Sequence, residues 1–124
     1  MAIVVGYIPT KEGAAAFTRA GEEAVLRKTN LVVINSNRDG AGSDSEQLDR
    51  LGDELRGQGV DVTVRQLIRG NEPAEDLLAV ADEIGADLIV IGLRRRTPVG
   101  KLILGSNAQR ILLDASCPVL AVKS

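Results

Sequence analysis

Short aliphatic runs, separated by stretches long enough for a helix, constrain this chain more than anything else in it. Ala2 to Ile8, Leu31 to Ile34, Asp87 to Ile91 and Val119 to Val122 are apolar and rich in β-branched residues. A strand with one wet face would alternate, so continuous runs of this kind predict strands covered on both sides, as in a parallel sheet. Val60, Val62, Val64 and Leu67 alternate imperfectly with Asp61, Thr63, Arg65 and Gln66, which predicts a further strand nearer the sheet edge. Five strands alternating with four helices give an α/β fold. Right-handed crossovers then make it a doubly wound five-stranded parallel sheet. A chain of 124 residues suits one domain, residues 1–124, with one core.

The intervening stretches carry helix signals. Thr10 is the expected N-cap of the first helix, with Gly13 standing where a capping box would place Glu or Gln. That helix is expected to reach about Thr29, with Phe17, Ala20, Ala24 and Val25 inward and Lys11, Glu12, Arg19, Glu22, Glu23 and Arg27 largely outward. Ser43 and Glu46 make a capping box for the second helix, Leu48, Leu51 and Leu55 form its inward stripe, and Gly57 and Gly59 stop it. The turn Gly70-Asn71-Glu72-Pro73 leads into the third, with Asn71 as the expected N-cap, Leu77, Leu78, Ala81 and Ile84 inward, and Gly85 at its end. Leu104, Ala108, Ile111, Leu112 and Ala115 make the inward face of the fourth.

In open α/β sheets, ligands bind beyond the carboxyl ends of the strands, and a helix start there offers N–H groups and a positive dipole end to an anion. The stretch after Ile91 fits that description. Gly92 ends the strand, Arg94-Arg95-Arg96 and Lys101 make a basic loop, and Gly105-Ser106 opens the fourth helix. Gly92 would let backbone approach a ligand closely. The N–H groups of Gly105, Ser106 and Asn107, with the Ser106 hydroxyl, could hold phosphate oxygens. The same residues also suit an ordinary strand end and an ordinary helix start, and a charge run also suits a solvated surface. Arginine is nonetheless the best side chain for bidentate phosphate pairing.

Several function classes are excluded or left without support. The formal net charge of -2 gives no global attraction to nucleic acid or anionic lipid, although the arginine run is locally positive. With no His and a single cysteine, Cys117, an intrachain disulfide and the common metal and general-base constellations are ruled out. No Walker-type GxxxxGK[ST] sequence occurs, so at most weak ATP hydrolysis is expected and no catalytic residue is assigned. No apolar run approaches the roughly 20 residues that span a bilayer, and no basic-then-apolar leader opens the chain. A cytoplasmic location is expected.

The spacing from Gly92 through Arg95 and then nine residues to Gly105-Ser106 resembles the nucleotide-binding signature of the universal stress protein family. Ile3-Val4-Val5-Gly6 resembles that family's first strand, Gly70-Asn71-Glu72-Pro73 the turn before its third helix, and Ser116-Cys117-Pro118-Val119-Leu120-Ala121-Val122 its closing strand. The resemblance implies a Rossmann-like sheet of the adenine nucleotide alpha hydrolase type, order 3-2-1-4-5. Tyr7, Ile8 and Pro9 would then lie beside Ile91, Gly92 and the Gly105-Ser106 helix start. It implies an adenine nucleotide, ATP or AMP, in the crevice between strands one and four, with Ser36 beside the adenine and magnesium resting mainly on the phosphates. It also implies a homodimer through the edge strand Cys117 to Val122, where unpaired backbone groups invite a second copy, and an unknown protein partner.

Two positions depart from the family pattern. Arg95 stands where the signature has its second glycine, and it would either fill the phosphate site or reach over a bound polyphosphate. Ile8 stands where nucleotide-binding members carry an Asp that contacts the adenosine part, and an aliphatic group accepts no hydrogen bond. The alternative function is a nucleotide-independent stress-response interaction protein acting as a homodimer.

Overall fold

Parallel strands cannot be joined by hairpins, so every return needs a crossover, and this chain supplies a helix each time. The computed structural model describes residues 2–8, 10–35, 43–66, 72–93 and 105–124. Along them run β1 (Ala2–Tyr7), α1 (Lys11–Arg27), β2 (Asn30–Asn35), α2 (Ser43–Gly57), β3 (Val62–Gln66), α3 (Pro73–Ile84), β4 (Leu88–Leu93), α4 (Ser106–Asp114) and β5 (Val119–Lys123). The strands form one parallel sheet in the order β3-β2-β1-β4-β5, the order the resemblance implies. β1 lies at its centre, and Val4 faces Val32 on one side and Ile89 on the other.

Side chains alternate across a strand, so this central sheet divides the core in two. Ile3, Val5, Tyr7, Leu31, Val33, Leu88 and Val90 pack on one face against Phe17, Ala20 and Ala24 of α1 and Leu48 and Leu55 of α2. Val4, Val32, Ile34, Ile89 and Ile91 pack on the other against Ala74, Leu77 and Ala81 of α3 and Ile111 of α4. Burying each such aliphatic side chain stabilises the fold by about 1.5–3 kcal/mol. The two clusters explain why the strand runs are continuously apolar.

Helix ends follow their local chemistry. The Thr10 hydroxyl oxygen accepts from the Gly13 N–H at 3.1 Å, the expected cap. α1 stops at Arg27, short of Thr29, because Lys28 turns left-handed at φ 53 and donates its N–H back to Ala24 and Val25. Gly85 does the same for α3 at φ 64. The N-cap of α3 is Glu72; Asn71 lies outside the described residues.

Three burial expectations need correction. The inward stripe of α1 runs through Gly13, Ala16, Phe17, Ala20, Gly21 and Ala24, and Val25, about 100° round the helix from Ala24, is 37% exposed. Glu12 is buried, at 9%, where the pattern had put it outside. On α4, Ile111 is buried but Leu112 is 39% exposed.

Candidate functional site

At the carboxyl ends of β1 and β4 the chain is drawn tight by two glycines. The Ile8 carbonyl accepts from Thr10 N–H at 2.8 Å, which folds the chain straight from β1 into the first turn of α1. A Cβ at Gly13 would lie 2.9 Å from the Ile8 carbonyl carbon, and one at Gly92 would lie 2.6 Å from the Glu12 carbonyl carbon. The first turn of α1 is thus seated directly on the ends of both strands. Gly92 is explained by this backbone packing, and it needs no ligand to account for it.

Beside this seat is a cavity of about 120 Å³. Gly6, Ile8, Ile91 and Gly92 line it from the strand ends, and the first turns of three helices complete it: Glu12 and Gly13 of α1, Pro73 of α3, Asn107 and Ala108 of α4. Each helix N-terminus carries roughly half a positive charge, so three converging ends make a favourable place for an anion. Among the described residues, Glu12 brings the cavity's one lining carboxylate from the start of α1. The volume is below the roughly 300–1,000 Å³ of small-molecule pockets, too small to enclose a nucleotide on its own.

The structure brings Ile8, Ile91, Gly92 and Asn107 together around this cavity. Ile8 is 38% exposed and Ile91 buried. Tyr7 is 1% exposed, its ring edge-on to Phe17 at 6.2 Å on the opposite face of the sheet, so only its backbone is near the crevice. Gly105 is the N-cap of α4 with φ -68 and ψ 163, and makes no side-chain cap. Among the described residues, a Cβ on Gly105 would meet nothing within 4 Å, so packing against them does not explain a glycine here. Ser106 follows it, exposed, as the first residue of α4. Asn107 spends its side chain on another helix, Oδ1 accepting from Ala74 N–H at 3.1 Å. Ser36, Arg94 and Arg95 lie outside the described residues, as do Arg96 and Lys101.

Glu12, Gly13 and Pro73 were not foreseen as part of this cavity. Gly13 carried a usable signal: a glycine three residues after an N-cap Thr, where Glu or Gln is favoured, marks a helix start pressed against backbone. Glu12 carried none, because a charged residue in a first turn reads as solvent-facing. Among the described residues no cluster of His, Cys, Asp and Glu is placed to hold a metal ion, and no helix is long and apolar enough to cross a membrane.

The chain matches the model of the universal stress protein family over residues 1–123. It is 44% identical over 126 residues to a universal stress protein of Mycolicibacterium smegmatis, covering 98% of this chain and 96% of that one. A solved universal stress protein from Archaeoglobus fulgidus in complex with dAMP superposes with a TM-score of 0.75 at 30% identity, covering 99% of this chain and 98% of that one. A universal stress protein solved in complex with cAMP superposes at 0.78 with 25% identity, covering 99% and 96%.

Proposed function

Since the chain belongs to the universal stress protein family, we propose that it is a regulatory module that binds an adenine nucleotide in the crevice between β1 and β4. The observation that carries this is the convergence of three helix N-termini on one cavity at the carboxyl ends of those strands. Relatives of the same fold solved with dAMP and cAMP support the ligand class.

In this proposal the N–H groups of Gly105, Ser106 and Asn107 and the Ser106 hydroxyl face the phosphates, and Arg94 and Arg95 pair with them. The Tyr7 and Ile91 backbone, Gly92 and Ser36 border the nucleoside, and any magnesium rests on the phosphates. Ile8 weakens the grip on the adenosine part, because the ligand's donor there finds no acceptor; a lost contact of this kind costs about 1–3 kcal/mol, one to two decades in affinity. Binding alters a partner surface. The module is a single domain, residues 1–124, cytoplasmic, and paired with a second copy through β5, which ends the sheet beside β4 and is half-buried over Val119 to Val122. The half-exposed aliphatic Ile8 at the cavity favours one other reading, a nucleotide-independent interaction protein.

The test is a thermal-shift titration with AMP, cAMP and ATP, with and without magnesium. A ligand binding only the native state at about a hundred times Kd adds roughly 2.7 kcal/mol. Gly105→Asp, which sets a carboxylate against the phosphates, is expected to abolish the shift. No shift with any of the three at millimolar concentration would leave the interaction protein as the function.

A further inference from the structure

The first N–H groups of a helix have no partner within it. In α3, Glu72 makes no side-chain cap and Pro73 occupies the first helical position, where it has no N–H to satisfy. The next amide belongs to Ala74, which is 0% exposed. Water cannot serve it. Its acceptor comes from a different helix, the Asn107 Oδ1 at 3.1 Å.

Asn107 is the second residue of α4 and follows the Gly105-Ser106 start directly. A second tie joins the same two helices one turn on, where Arg110 Nη1 meets Glu75 Oε1 at 3.0 Å. The side-chain oxygen that satisfies α3 and the backbone amides assigned above to the phosphates therefore belong to one short piece of chain. We infer that Asn107 is a positioning residue: its side chain pins the N-terminus of α4 against α3 and so fixes the amide donors for a phosphate-bearing ligand. This rests on the nucleotide-binding function proposed above.

Donors held in place before binding lose less freedom when a ligand arrives, so the pin raises affinity for the phosphate. Coupling of this kind is reciprocal, and whatever factor the pin adds to phosphate affinity, bound phosphate adds to closure of the pin. The Ala74 amide thus reports on a ligand at α4, although it belongs to α3.

The experiment measures AMP and adenosine affinity by calorimetry and Ala74 amide exchange by NMR, in the unaltered protein and in Asn107→Ala. Expected in Asn107→Ala is about a tenfold loss of AMP affinity, equivalent to 1.4 kcal/mol, with adenosine changed less than about twofold, because the nucleoside makes no use of the phosphate donors. In the unaltered protein AMP slows Ala74 exchange; in the variant that slowing is lost. Equal losses for AMP and adenosine would mark a merely structural residue and overturn the inference, as would AMP binding unchanged by the substitution or Ala74 exchange indifferent to AMP. Should Asn107→Ala fail to fold, Asn107→Asp keeps an acceptor oxygen and must keep both slow Ala74 exchange and its further slowing at saturating AMP; loss of either refutes the pin. If the unaltered protein binds adenosine and AMP equally weakly, the proposed function fails first, and a slow Ala74 amide that Asn107→Ala speeds up distinguishes that failure from the absence of the pin.

Discussion

Adding one methyl group at Gly92 and one at Gly105 should have opposite consequences. At Gly92 the new carbon would stand 2.6 Å from the Glu12 carbonyl carbon, about 1 Å inside the roughly 3.5 Å at which carbon atoms rest. The obstacle is helix backbone, with no rotamer that could move aside. Overpacking typically costs 1–3 kcal/mol, and a backbone clash belongs at the top of that range, so Gly92→Ala is expected to lose about 3 kcal/mol. At about 4 °C per kcal/mol for a chain of this size, Tm falls by about 12 °C. Gly105→Ala meets nothing within 4 Å among the described residues, and φ -68 with ψ 163 is open to any residue. Its gain of about 0.4–1 kcal/mol from a less flexible unfolded chain is offset by the poorer N-cap quality of Ala, leaving it within about 0.5 kcal/mol of the original. Urea unfolding at a common slope measures both. A neutral Gly92→Ala would refute the seating of α1 on β4, and a Gly105→Ala as unstable as Gly92→Ala would refute the open space at Gly105. With the fold intact, Gly105→Ala should still lower AMP affinity in calorimetry under the proposed binding mode, in which the phosphate lies against the Gly105 amide and an added methyl group would crowd it.

Other consequences can be checked on the same material. Lys28 holds φ 53, a left-handed conformation that costs a residue with a Cβ about 1–2 kcal/mol, so Lys28→Gly should raise stability by about 1 kcal/mol in urea unfolding; a loss would refute the strain. The Arg110–Glu75 pair is nearly half exposed on both sides, and a double-mutant cycle should give no more than about 0.5 kcal/mol. Burial, followed by the charges of Asp82 and Asp87, holds the Cys117 thiol above its ordinary range. The unfolded chain then loses this proton first as pH rises, so the contribution is complete below about pH 8.5 and declines above it; Cys117→Ala should flatten that decline, and iodoacetamide should label the native thiol more slowly than the unfolded one at pH 8.

The strands were legible because a sheet covered on both faces leaves no polar alternation, so the aliphatic runs mark β1, β2, β4 and β5 to within a residue or two. Their parallel crossovers followed from the helix signals between them, while the strand order needed the family resemblance. The helix faces were less legible. Val25 and Leu112 sit beside true core positions, Ala24 and Ile111, and a rotation of 100° separates a buried side chain from an exposed one without changing its chemistry. Lys28 ends α1 by its backbone alone, and a lysine gives no notice of that. Of the residues around the cavity, Gly92 and Asn107 were named from the strand end and helix start and Ile8 through the family's strand order, but the reason for Gly92 was not legible, because its contact is with Glu12 on a distant turn. The bond from Asn107 to Ala74 joins residues 33 apart, and no local pattern encodes an acceptor for a helix that lies elsewhere in the chain.

The two glycines also differ in what descent could teach. Selection for a folded chain alone would keep a glycine at 92 in every lineage, whether or not any ligand was ever bound there, since α1 leaves no room for anything else. A lineage that abandoned its ligand would be freer to drift at 105, where no described residue crowds a side chain and other good N-caps serve as well. Invariance at the first position is silent about binding; persistence of glycine at the second would be the inherited record of it.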